Sequence, residues 1–87
     1  MNKLEEEKFK SAGINIIDPA TTFIDSTVNF IGSGITISPN THLKGNTKIN
    51  SNCNIGPNSF LYDAVVNKNS IVIFSFVENS LIGETVS

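Results

Sequence analysis

Large branched residues recur six positions apart at Ile37, Leu43, Ile49, Ile55 and Leu61, and few folds tolerate that spacing. A period of six is neither the 3.6 of an amphipathic helix nor the 2 of a half-buried strand. A second column lies two residues before each: Ile35, Thr41, Thr47, Cys53 and Ser59. The residue before that column is turn-prone throughout, as Gly34, Asn40, Asn46, Asn52 and Asn58.

Beyond Leu61 the pattern continues with some five-residue steps to Val66, Val72, Val77 and Ile82, with Ala64, Ser70, Ser75 and Ser80 as small partners. The turn column there reads Asp63, Asn69 and Asn79, and departs from turn residues only at Phe74. Backwards, Phe30 with Val28 and Ile24 with Thr22 extend the pattern, and the seven-residue step from Phe30 to Ile37 implies one insertion, near Ile31. Eleven rungs therefore share one register in three columns.

Each hexad can supply a short strand and a turn of roughly 120°, so that three close a triangular coil of about eighteen residues. Stacked coils then pair as parallel strands. The large residue fills the prism and the small one stands near a corner. The residue before it turns the chain at positive φ, which selects Gly, Asn or Asp and explains the asparagines without chemistry. Pro39, Gly45 and Pro57 follow the large residue by two, where the chain leaves the strand.

Before Gly13 the texture differs. Residues 1–12 are rich in Glu and Lys, with Glu5–Lys8 and Glu6–Lys10 as possible helix-supporting pairs, and Gly13 suits a helix terminus. The expected division is a linker-helix end over 1–13 and β-coil over 14–87, with about three and a half coils. An open strand edge after Ser87 would need a partner or further chain to cover it.

Bulk properties exclude several classes. Lys and Arg number 6 against 8 Asp and Glu, a net charge of -2, which argues against a nucleic-acid or anionic-membrane footprint. One cysteine, Cys53, permits no internal disulfide. No apolar run approaches the roughly 18 residues of a membrane span, and the charged first residues do not read as a signal peptide, so a cytoplasmic location is expected.

Candidate side chains are few. His42 is the only histidine and precedes inward Leu43, so alternation turns it outward as a surface residue. Cys53 in the small inward column reads as a buried hydrophobe rather than a reactive thiol. Asp18 and Asp25 have no carboxylate partner at a telling spacing. At three rungs per coil, Phe23, His42, Phe60 and Phe76 fall on one outward column beside Tyr62. That column is either ladder packing or a contact surface for a trimer or the linker helix.

Ile55-Gly56, Ile82-Gly83, the linker Gly13-Ile14-Asn15-Ile16-Ile17-Asp18-Pro19 and the run Asn52-Cys53-Asn54-Ile55-Gly56-Pro57-Asn58-Ser59 carry a resemblance. The chain resembles the hexapeptide-repeat acyltransferases, and most closely the start of the C-terminal domain of the bifunctional N-acetylglucosamine-1-phosphate uridyltransferase and glucosamine-1-phosphate acetyltransferases. Asn50 and Asn67 depart from the family's frequent Gly. The resemblance implies an all-β, left-handed parallel β-helix and trimeric assembly. For the full-length family it also implies acetyl-CoA, magnesium and sugar-phosphate substrates. It transfers no catalytic, cofactor-binding or metal-binding residue to this chain, because both family active sites lie in other segments. A γ-class carbonic anhydrase of the same fold would need three histidines. The expected role is structural and trimer-forming. The alternatives are the regulatory β-helix of another sugar-nucleotide pyrophosphorylase or a self-standing interaction module.

Overall fold

The computed structural model describes residues 2–83. Twelve short strands follow one helix: β1 (Ile14–Ile16), β2 (Thr22–Ile24), β3 (Asn29–Phe30), β4 (Ile35–Ile37), β5 (Thr41–Lys44), β6 (Lys48–Ile49), β7 (Asn54–Ile55), β8 (Phe60–Tyr62), β9 (Val65–Val66), β10 (Ile71–Val72), β11 (Phe76–Glu78) and β12 (Leu81–Ile82). They form three four-stranded sheets, in the orders β1-β4-β7-β10, β2-β5-β8-β11 and β3-β6-β9-β12. All pairings are parallel. This is the hexapeptide β-helix, with every third strand returning to the same sheet through four coils.

The large column is the core. Ile37, Leu43, Ile49, Ile55, Leu61, Val66 and Val72 are fully buried, and Val77 and Ile82 nearly so. The small column also turns inward, and its hydroxyls find corner carbonyls. Thr41 Oγ1 donates to the Ser38 carbonyl at 2.7 Å, Thr47 Oγ1 to Lys44 at 2.8 Å and Thr22 Oγ1 to Asp18 at 2.8 Å. A threonine can therefore be buried there without an unpaired polar group. Cys53 is buried and free, and its thiol donates to the Asn67 carbonyl at 3.0 Å. Ser70 Oγ is buried without a partner, and we have no physical account of it. Ser80 departs from the column by being exposed.

The structure adds to the sequence reading at the first coil. Strand β1 pairs with β4, Ile14 beside Ile35 and Ile16 beside Ile37, so a twelfth rung precedes Thr22. This first coil takes twenty-one residues from Ile14 to Ile35, whereas the last takes sixteen, from Val65 to Leu81. The surplus is a 3₁₀ turn at Pro19–Thr21 and a corner carrying Gly32 and Gly34 at positive φ, with Ile31 exposed.

Helix α1 runs from Lys3 to Ser11, with Asn2 as N-cap and Gly13 at φ 83° just past its end. It buries no residue fully. Phe9 packs edge-on against Phe30, centroids 5.5 Å apart, and touches the core at the open end of the first coil. The pairs Glu5–Lys8 and Glu6–Lys10 are not among the ion pairs of the described residues, where Lys44–Asp25 at 3.5 Å is found. The helix is held by the Phe9 contact and the Asn2 cap, with Glu5 and Glu6 in its first turn and Lys8 and Lys10 in its last suiting the helix dipole. The strand edge after Ser87 lies outside the described residues.

Two corners differ from expectation. The positive φ expected at Asn46 belongs to its neighbour Gly45, at 64°. Phe74, the one bulky residue in the turn column, keeps the turn geometry at φ 48°. Left-handed backbone costs an ordinary L-residue roughly 1–2 kcal/mol, and Asn tolerates it best after Gly. The Phe74 ring is 63% exposed, so little burial compensates. Phe74→Asn is expected to stabilise the protein by about 1 kcal/mol, read as a rise in thermal midpoint. A fall would show that the ring contributes more packing than its exposure suggests.

Candidate contact surface

Strands β2, β5, β8 and β11 place Phe23, His42, Phe60 and Phe76 opposite one another in adjacent coils. Alternation sends these side chains outward, because Leu43, Leu61 and Val77 beside them face the core. The rings stack along the prism. Centroid separations are 4.8 Å for Phe23–His42, 5.8 Å for His42–Phe60 and 5.1 Å for Phe60–Phe76, with interplanar angles of 19°, 29° and 7°. Such aromatic cross-strand pairs stabilise sheets by a few tenths to 1 kcal/mol each.

The ladder is thus built as packing, yet it stays largely in solvent. Phe76 is 70% exposed, and Phe23 and Tyr62 are also exposed. A shallow groove runs beside it between Phe60, Phe74 and Phe76, floored by Asn58, Ser59 and Ser75. Helix α1 packs through Phe9 on Phe30, and its Glu5 lines one cleft with Phe23 at the first rung of the ladder.

His42 stands where alternation placed it, outward and half-buried, held between two phenyl rings. Asp18 caps the 3₁₀ turn: its carboxylate accepts from Ala20 N at 3.3 Å and Thr21 Oγ1 at 2.9 Å. The Asp18-Pro19 pair is itself the sequence signal for such a start.

Two further aspartates were not recognised from sequence as a working pair. Asp25 accepts from Gly45 N at 3.0 Å, and Asp63, two coils on, accepts from Asn46 N at 2.7 Å. Together they satisfy consecutive N–H groups of the corner between them. The Gly45 N–H holds the Asp25 carboxyl below its ordinary 3.8; desolvation opposes this, and the nearby Lys44 ammonium adds to it. A carboxyl depressed on folding contributes stability above its unfolded pKa and loses it as pH falls through the folded value. Acid weakening below about pH 4 is therefore expected to be shallower in Asp25→Asn, measured as urea midpoint against pH. Identical slopes in parent and variant would remove Asp25 from the account.

Among the described residues no three His, Cys, Asp or Glu side chains come together to hold a metal.

Residues 30–63 match the bacterial transferase hexapeptide family, described as six repeats. Over 86 residues the chain is 41% identical to the bifunctional protein GlmU of Caldanaerobacter subterraneus subsp. tengcongensis, covering 99% of this chain and 19% of that protein. Against GlmU of Carboxydothermus hydrogenoformans it is 38% identical over 81 residues, covering 93% and 18%. GlmU of Mycobacterium marinum is 44% identical over 72 residues, covering 83% and 14%. The chain spans about a fifth of the length of the first two relatives. The hexapeptide register read from the large column and the similarity to GlmU thus agree. No helix of the described residues is long and apolar enough to cross a membrane.

Proposed function

We propose that this chain corresponds to the opening stretch of the hexapeptide domain of a GlmU-type enzyme, a bifunctional enzyme of UDP-N-acetylglucosamine synthesis acting in the cytoplasm. In this reading the stretch is structural. It joins a linker helix to the first coils and helps assemble three copies, and neither acetyl transfer nor uridylyl transfer is carried by its residues. The observation that carries this reading is 41% identity over an alignment covering 99% of the chain and 19% of the relative. A solid apolar interior fits the same role.

The test is an acetyltransferase assay on the purified 87-residue chain with acetyl-CoA and glucosamine-1-phosphate. No turnover above the uncatalysed rate is expected, and measurable turnover would overturn the structural assignment. The exposed aromatic ladder also suits a second reading, a self-standing interaction module. The coding sequence on either side separates the two: a uridyltransferase-like domain upstream, or further hexads downstream, favours the enzyme.

A further inference from the structure

The outward positions of the three sheets change character along the prism. The first sheet presents Asn15, Thr36, Asn54 and Ile71. The third presents Asn29, Lys48, Val65 and Leu81, polar in the first two coils and aliphatic in the last two. The second presents the ring ladder, with Tyr62 beside Phe60. In the third and fourth coils, therefore, two of the three faces are apolar at matching heights. Phe60 and Val65 share one coil; Phe76 and Leu81, 70% and 68% exposed, share the next.

We propose that these two faces are the two halves of one contact between copies of this chain: the Phe60–Phe76 face of one packs on the Val65–Leu81 face of the next. The inference rests on the three-copy assembly proposed above and assigns its surface. Copies related by rotation about an axis parallel to the prism stand at equal heights, so the apolar levels of the two different faces meet. A face packed on itself about a two-fold axis lying across the prism reverses the coil order. It would give the Val65–Leu81 face no role. Contacts between unlike faces close into rings.

Area points the same way. An aromatic side chain covers about 150–250 Å², so three partly exposed rings against two aliphatic side chains bury on the order of 600 Å². Stable pairwise interfaces bury roughly 1,200–2,000 Å². One such contact is too small to hold a pair, whereas in a ring each copy uses both faces at once.

Outward positions can be changed without touching the core, which makes cysteine pairing a direct test. The 87-residue chain is prepared as parent, Phe76→Cys, Leu81→Cys and the double variant, with circular dichroism checking the β signal and native Cys53 left buried. Under mild oxidation the double variant is expected to give a covalent band at three times the 9.4 kDa chain mass, and each single variant none. Self-linking of Phe76→Cys alone would overturn the unlike-face contact in favour of a face packed on itself. A parent that sediments as a trimer while the double variant stays unlinked would overturn the surface assignment alone. A parent that sediments as a monomer or dimer would overturn the assembly reading and this inference with it. Phe60→Ser with Phe76→Ser should lower the sedimenting mass of a trimeric parent threefold while leaving the far-UV signal unchanged. An unchanged mass would count against the contact.

Discussion

Leu61→Ala is expected to cost about 2–5 kcal/mol, the range for emptying a well-packed aliphatic site. Leu61 is fully buried on β8, between Leu43 of β5 and Val77 of β11 in the same column. In a stack of coils each unit is stabilised by its neighbours. A void at the third coil therefore weakens its contacts with the coils on both sides. The surrounding strands can collapse little, because the backbone ladders on three sheets fix the coil spacing. Small domains are stable by about 5–15 kcal/mol in total, so this one change removes a large share. Urea unfolding should show a much lower midpoint with an unchanged slope. A loss below about 1 kcal/mol would mean that the interior is loosely packed and that the six-residue column is not the main stabilising feature.

The same column explains why most of the fold was legible in the sequence. An inward site repeats in shape at every rung, so the sequence repeats in kind, and three columns kept register from Ile24 to Ile82. Where the shape does not repeat, the signal fails. Strand β1 escaped because the 3₁₀ turn at Pro19–Thr21 stretches the step from Ile16 to Ile24 beyond six residues. The shift of positive φ from Asn46 to Gly45 escaped for a different reason. Either residue can turn the chain, and the choice is made by carboxylates from the coils on either side, Asp25 and Asp63. Those partners lie twenty and seventeen residues away, beyond any local pattern.

The surface was legible only as a list of residues. Alternation and three rungs per coil placed Phe23, His42, Phe60 and Phe76 in one column, and the rings do stack. The column offered two covers, and helix α1 approaches it at Phe23, where Glu5 lines the same cleft. The aliphatic pair on the neighbouring face went unnoticed because Val65 and Leu81 read simply as strand formers. Only their height relative to Phe60 and Phe76 gives them meaning, and height follows from register rather than composition. Phe74 belongs to the same lesson: a turn column can carry a phenylalanine if the flanking ladders dictate the backbone, at the cost of local strain.

The other large effect is expected at Gly56. Its φ is 88°, and a Cβ added there would stand 2.1 Å from Thr41 Oγ1 and 3.2 Å from the Ser38 carbonyl oxygen. Those two atoms are already joined at 2.7 Å, and Thr41 is fully buried. A side chain at Gly56 thus meets two obstacles at once. The backbone conformation costs roughly 1–2 kcal/mol for an L-residue, and more for a branched one. Displacing the Thr41 hydroxyl leaves a buried donor and acceptor unpaired, worth a further 1–3 kcal/mol or so. Gly56→Val is accordingly expected to lose about 3–5 kcal/mol, a large share of a small domain's stability. Gly83 supplies the control. A Cβ there meets nothing nearer than Asn67 Nδ2 at 4.0 Å, so Gly83→Ala should stay within about 0.5 kcal/mol of the parent. Equal urea midpoints for the two variants would show that the Gly56 corner yields, and that the Thr41–Ser38 bond is not what fixes it.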